Sequence, residues 1–227
     1  MILDLLFPKW CLVCKRIGCY LCQRCSRKLE YVKIDGCIYC DKISEYGTTH
    51  QNCKRKNGLD GVQSFLYYSP EMKEVMKELK YNQVRDAYHE IFWSLNPGIV
   101  SKIAFYHQFL PIVYIQPLPL HNRRLQDRGF NQAEVFAKYI SQISNIPLIN
   151  AIHRKKDNPQ QARQRSKWYR YLNTHGSFEM TPSGDVEGKT VILFDDVITS
   201  GTTVKEAARV LKKAGAASVF ALSLLRD

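Results

Sequence analysis

The sequence is poor in acidic residues and in long apolar runs, and it has no cysteine beyond position 53. No stretch approaches the roughly 18 consecutive apolar residues that a membrane-spanning helix needs. Met1–Trp10 lacks a basic start, carries Asp4 and is too brief for a secretory leader, so a cytoplasmic setting is expected. Against 33 Lys and Arg there are only 21 Asp and Glu, a formal charge of +12 that favours an anionic partner. A P-loop is missing too: the Gly184–Lys189 stretch is one residue short, has Ser183 where the first glycine belongs, and precedes a strand-like run. With 45% apolar and 24% charged residues over 227 positions, the chain reads as globular, one sizeable domain with a small appendage.

All eight cysteines fall between positions 11 and 53, as Cys11-x-x-Cys14, Cys22-x-x-Cys25, Cys37-x-x-Cys40 and a lone Cys53, with Cys19 outside the spacing. Repeated knuckles without an export signal point to zinc rather than disulfides. His50-x-x-Cys53 completes the fourth knuckle with an imidazole. Two structural Zn²⁺ sites are expected: Cys11, Cys14, Cys22 and Cys25, then Cys37, Cys40, His50 and Cys53. A cross-braced pairing, in which the first and third knuckles share a metal, also fits the spacing; the sequential zinc-ribbon pairing is preferred. Residues 1–60 hold too few large apolar side chains for a core of their own, so metal is expected to supply much of this head's folding free energy. Lys15, Arg16, Arg24, Arg27 and Lys28 make its first half basic, which suits either a nucleic-acid surface or a solvated face.

The most informative stretch is VILFDDVITSGTT at 191–203. Four apolar residues read as a strand buried on both faces. Asp195 and Asp196 follow, then Thr199, Ser200, Gly201, Thr202 and Thr203, then Val204, Ala207, Ala208 and Leu211 at helical spacing, with Gly215 at the stop. Thr203 and Glu206 have capping-box spacing. Backbone N–H groups and hydroxyls at a helix start can cradle one phosphate. Two adjacent carboxylates can hold sugar hydroxyls directly or through Mg²⁺. The whole string matches the phosphoribosyl-diphosphate (PRPP) signature of type I phosphoribosyltransferases, which is longer than a Walker-B strand or a turn-capping Asp pair requires.

Gly58–Gly61 separates the head from a body over 61–227. In the body Val62–Tyr68 and Ile112–Ile115 read as strands, Glu71–Tyr81 as a helix, and Ala87–Leu95 as a second helix stopped by Asn96-Pro97. PLPLHNRRLQDRGFNQA at 117–133 places Arg123, Arg124 and Arg128 in or beside a strand-to-helix loop, where arginines can clamp a diphosphate. Gly129 is expected to supply an unusual φ and Asn131 a cap, while His121 reads as solvent-facing. Residues 154–170 carry seven cations (Arg154, Lys155, Lys156, Arg163, Arg165, Lys167 and Arg170) interleaved with Trp168 and Tyr169. Arg163, Arg165, Lys167, Trp168 and Arg170 form a candidate single-stranded DNA groove of charge and stacking rings. A hood over PRPP or a solvated loop fits the same composition.

The 117–133 segment resembles the P-x-P-x-x-x-x-R-x-x-x-R-G-F-N-Q stretch of the ComF family. Residues 161–178 resemble that family's next conserved pattern at Gln161, Ser166, Arg170, Asn173, Gly176 and Phe178, and depart from it at Gln164 or Arg165 and at Thr174. Leu3–Pro8, the knuckles and the PRPP string complete a resemblance over essentially the whole chain. It implies an α/β fold, a mainly parallel sheet flanked by helices of type I phosphoribosyltransferase kind, behind a small zinc-ribbon domain. It further implies PRPP with Mg²⁺ as ligand, handling of incoming single-stranded DNA during transformation, and a ComFA-like helicase partner. Under that resemblance Thr199–Thr203 hold the 5-phosphate, Asp195 and Asp196 the ribose, and Arg123, Arg124 and Arg128 the diphosphate. An active phosphoribosyltransferase on an unidentified acceptor, and a zinc-ribbon adaptor with a relic transferase domain, remain as alternatives.

Overall fold

The computed structural model describes residues 8–81, 85–156 and 174–227. Its elements in chain order are α1 (Gln23–Ser26), β1 (Gly61–Tyr67), α2 (Pro70–Tyr81), α3 (Arg85–Phe109), β2 (Val113–Pro117), α4 (Asn122–Arg128) and α5 (Gln132–Ser144). There follow β3 (Ile152–Arg154), β4 (Phe178–Met180), β5 (Thr190–Ile198), α6 (Thr202–Lys213) and β6 (Ser218–Arg226). Four strands form one sheet in the order β1-β6-β5-β2, every neighbouring pair parallel. β3 and β4 make a separate antiparallel ribbon. This is the α/β architecture expected from the sequence.

The central strands are apolar on both faces, as a parallel sheet covered by helices requires. Ile192 and Phe194 join the core formed with α3 and α5, whereas Val191 and Leu193 join the one formed with α6. β6, at the centre of the sheet, has no counterpart among the expected strands; its nine residues SVFALSLLR form one near-continuous apolar run, buried except at its ends.

Two helices depart from expectation. α3 was expected to stop before Asn96-Pro97 but runs unbroken from Arg85 to Phe109. Proline inside a helix costs about 3 kcal/mol. Beyond it Ile99, Ile103 and Tyr106 recur at helical spacing and are buried, and burying such side chains returns roughly 1.5–3 kcal/mol each. Arg123, Arg124 and Arg128, expected in or beside the connection from β2 to the next helix, lie on a short helix of that connection, α4. His121 caps that helix, its Nδ1 accepting from the Arg123 N–H at 3.3 Å, and Gly129 ends it with φ 72°. Asn131 then caps α5 through Ala133 N–H at 3.1 Å, as expected of it.

The cysteine-bearing head crosses the outer edge of β1. Val32 N–H donates to Phe65 O at 2.9 Å, and Tyr67 N–H to Glu30 O at 2.8 Å. Cys11, Leu12, Leu21, Cys22, Cys25 and Leu29 enter the α3/α5 core, while Ile38 and Leu59 enter the α6 core on the opposite face. Asp35, buried at this crossing, accepts from Ser64 N–H at 3.0 Å and pairs with Lys102 of α3. Lys102 is itself mostly buried, so the two charges answer one another.

Phe136 of α5 locks the layers together. Its ring meets Phe92 edge-on at 4.0 Å and Tyr88 at 5.3 Å, and stacks on Phe194 of β5 at 5.7 Å. Phe136→Ala is expected to destabilise the chain by about 3–5 kcal/mol. The measurement is a urea midpoint at unchanged m value. A loss below ~1 kcal/mol would show that α5 is not held through this ring.

Candidate functional site: a carboxylate–arginine cleft and two thiol clusters

The strand β5 is longer than its apolar run: Asp195 and Asp196 lie within it, Asp195 in register with Ser223 of β6. Both are half-buried, and the Asp196 N–H donates to Asp195 Oδ1 at 2.9 Å. Beyond Ile198 the chain turns through Thr199 and Ser200 into α6. Gly201 sits at the turn with φ 68°, where a Cβ would stand 2.8 Å from Ile38 Cδ1. Positive φ and a close neighbour together require glycine there. Ser200 and Thr202 hydroxyls meet at 2.9 Å, and Lys205 Nζ donates to Ser200 O at 3.1 Å. The Thr203–Glu206 capping box does not form. Glu206 instead accepts from Arg209 at 2.8 and 2.6 Å and from Gly176 N–H at 2.8 Å. Burial works to raise the Glu206 carboxyl, but Arg209 and the Gly176 N–H outweigh it and hold the group below its ordinary value.

Asp195, Asp196 and Thr203 share a cleft of about 140 Å³ with Arg124 and Arg128 of α4. The helical form of α4 decides which arginines take part: Arg124 and Arg128, four residues apart, are half-buried and line the cleft, whereas Arg123 is exposed and does not. Gln132 and Arg154 complete the wall. Arg128 Nη1 donates to Gln132 Oε1 at 3.3 Å, and the Arg154 guanidinium lies over the Phe178 ring. Sequence reading had placed Arg154 only within the basic run. Its position follows from β3, a strand of three residues, too short to show a period. Beneath the cleft Tyr88 is fully buried, its phenol raised by burial and by the nearby Asp196 charge. Three guanidiniums facing two carboxylates make a site for an anion that also carries hydroxyls. Arg163, Arg165, Lys167, Trp168 and Arg170, the candidate DNA residues, lie outside the described residues.

The thiols gather in sequential groups. Cys11, Cys14, Cys22 and Cys25 bring their ligand atoms within 4.8 Å of one another, and so do Cys37, Cys40, His50 and Cys53. Four thiols in one group, and three thiols with an imidazole in the other, fit one tetrahedral zinc each. Burial acts to raise the Cys11 thiol, yet the N–H groups of Cys14, Cys22 and Val13 outweigh it and bring it down to about 6. Cys37 comes down to about 7 against burial in the same way, through the N–H groups of Tyr39, His50 and Cys40. Backbone donors therefore favour the thiolate at Cys11 and Cys37, whereas burial and the neighbouring thiols push Cys25 and Cys53 up. His50 Nε2 lies 3.1 Å from Ile43 O, which as acceptor leaves Nδ1, 3.3 Å from Cys40 Sγ, to the cluster. Glu90 of α3 fastens the first group from outside, accepting from Tyr20 N–H at 2.6 Å and Leu21 N–H at 3.2 Å.

Purified protein is expected to hold about two zinc ions per chain, one for each group. Binding needs deprotonated ligands, so acidification should release the metal. Because Cys11, Cys22 and Cys25 belong to the α3/α5 core, chelation should also lower the melting temperature of the whole chain. Elemental analysis across a pH series and a thermal melt with chelator check this. A metal content near one would remove one of the groups, and an unchanged melt would uncouple the head from the core.

Residues 130–227 match the phosphoribosyl transferase domain family. Over 218 residues the chain is 28% identical to competence protein ComFC of Bacillus subtilis, covering 91% of this chain and 84% of that protein. It is 26% identical to competence protein F of Haemophilus influenzae, over 91% of this chain and 90% of that protein. DNA utilization protein YhgH of Escherichia coli is 32% identical over 49% of this chain and 48% of its own length. The domain match spans β5, its loop and α6, and the competence proteins align across both the thiol-bearing head and the sheet. The chain is thus similar to ComF-type competence proteins over 91% of its length, and its residues 130–227 match the phosphoribosyl transferase domain.

Proposed function

We propose that the protein binds PRPP at the carboxyl edge of its sheet and handles single-stranded DNA during competence, with a zinc-ribbon head over 1–60 and a phosphoribosyltransferase-like body over 61–227. The observation that carries the PRPP reading is the meeting of Arg124, Arg128, Asp195, Asp196 and Thr203 in one cleft. In this reading the turn Thr199-Ser200-Gly201-Thr202-Thr203 takes the 5-phosphate on backbone N–H groups at the start of α6. Asp195 and Asp196 hold the ribose hydroxyls, Arg124 and Arg128 hold the diphosphate, and Arg123 contributes long-range charge from the surface. Oxygen ligands of this kind suit Mg²⁺, which would supply charge neutralisation for a departing diphosphate. The carboxylates would stabilise positive charge on the ribose ring, and no general base is required of the chain.

The DNA reading is supported by the competence and DNA-utilization relatives together with the basic, aromatic segment Arg154–Arg170. A helicase-like partner acting on the same strand belongs to this proposal. Gly201→Val should abolish PRPP binding, since a branched side chain collides with Ile38 and opposes φ 68°. Retained affinity in a folded variant, measured by calorimetry with Mg²⁺, would place the phosphate elsewhere.

Single-strand binding should weaken steeply with salt through counterion release. Arg163→Ala, Arg165→Ala and Lys167→Ala together should flatten that slope, and Trp168→Ala should cost roughly 1–3 kcal/mol. Asp195→Asn with Asp196→Asn should remove PRPP binding and spare DNA. An unchanged salt slope in the basic variants would shift DNA contact away from this segment. Diphosphate release on adding a base or DNA would favour an active transferase over a binding protein.

A further inference from the structure

A second cavity, of about 340 Å³, lies between the Cys37–Cys40 knuckle and the flank of α6. Among the described residues it shares no lining residue with the arginine–carboxylate cleft; the adjacent residues Thr202 and Thr203 open onto different cavities. Its walls are basic. The Arg55 guanidinium carbon stands 4.7 Å and Lys205 Nζ 5.1 Å from the centroid of the same Tyr39 ring. The two cations are therefore within about 10 Å of each other, where like charges repel. Arg209 adds a third cation to the lining.

Among the described residues Glu206 is the one carboxylate in that lining. It is 6% exposed and already engaged by Arg209, by the Gly176 N–H and, at 3.5 Å, by His175. Among the described residues Arg55 makes no ion pair. The described lining thus sets three cations, Arg55, Lys205 and Arg209, against one carboxylate, and guanidinium geometry matches phosphate oxygens. Its volume exceeds what one phosphate fills and falls in the small-ligand range. Asn57, with an amide that both donates and accepts, stands on the same wall as Arg55.

We propose that this cavity is a second ligand site, taking a nucleoside monophosphate unit with its phosphate at Arg55 and Lys205. The unit is a free nucleotide or one residue of a single strand; both present the same phosphate, sugar and base. Thr202 aside, the site is built from residues other than those assigned to PRPP, so an Arg55 variant tests it apart from the PRPP reading.

The probes are dTMP, thymidine and a short oligo(dT), titrated into the intact zinc-loaded protein. dTMP should bind and thymidine should not. Arg55→Ala should weaken dTMP by about tenfold or more, the worth of a charge-assisted contact, while PRPP affinity is unchanged. Asp195→Asn with Asp196→Asn should leave dTMP binding intact, and excess PRPP should not displace it. Oligo(dT) binding far more tightly than dTMP, with the same Arg55 dependence, identifies the ligand as a strand; equal affinity identifies a free nucleotide. Arg55 lies two residues from Cys53, so metal content is measured in parallel. If Arg55→Ala loses zinc, Asn57→Asp, which adds a carboxylate to the same wall, must weaken dTMP likewise. The proposal is overturned if neither dTMP nor oligo(dT) binds, if thymidine binds as well as dTMP, if PRPP competes dTMP away, or if folded Arg55 and Asn57 variants bind dTMP normally.

Discussion

The carboxylate edge depends on β5 being unable to slide. It is hydrogen-bonded to β2 on one side and β6 on the other, and Val191, Ile192, Leu193 and Phe194 are all buried to within 1%. A one-residue slip would exchange the pair facing α3 and α5 for the pair facing α6. The two sets are not interchangeable: one includes Phe194 against Phe136, while the other must fit beside the small Ala207 and Ala208 of α6. Register therefore sets where Asp195 and Asp196 emerge. From that fixed point the turn at Gly201 directs α6, and α4 can present Arg124 and Arg128 across the gap.

The head is bound into this arrangement rather than tethered beside it. Its first thiol group packs with the core beneath α3, and its second reaches the opposite face, where Ile38 rests on Gly201. Tyr39 continues that contact with Lys205, whose ammonium also holds the Ser200 carbonyl. The same knuckle therefore shapes one side of the phosphate-type turn and one wall of the second cavity. Metal at Cys37, Cys40, His50 and Cys53 would stiffen both, because the ribbon has little apolar packing of its own.

Legibility followed local chemistry. Gly201 and Gly129 were readable because turns that need positive φ demand glycine, and Asn131 because a cap needs a short side-chain acceptor. The eight candidate ligands were readable from spacing, which left their pairing open between sequential and cross-braced; the sequential grouping came from the fold. What could not be read was decided by tertiary burial. Pro97 is an ordinary helix breaker, yet the buried residues after it carry α3 onward. Thr203 and Glu206 had the spacing of a capping box, but Glu206 found a stronger partner in Arg209, one turn along the same helix. Arg154 reaches the cleft only because β3 pairs with β4, a contact between residues more than twenty positions apart. The choice of Arg124 and Arg128 over Arg123 needed the helical phase of α4, which a stretch opening with two prolines did not suggest.

One feature of the sheet bears on how the molecule reaches its final form. β1 and β6 are partners, and the buried hydroxyls of Ser64 and Ser223 meet at 2.8 Å across 159 residues of intervening chain. Pairings this distant are slow to form, because loop-closure entropy must be overcome before the contact gives anything back. Until β6 docks, β5 lacks one of its two neighbours and β1 has no place in the sheet. The cleft would thus appear late in folding, after α2, α3 and α5 have already gathered. A chain in which β6 had not yet docked would be blind to ligand. Proteases and chaperones would meet it with the apolar edge of β5 uncovered, and ligand added during refolding would select the finished sheet rather than guide its assembly.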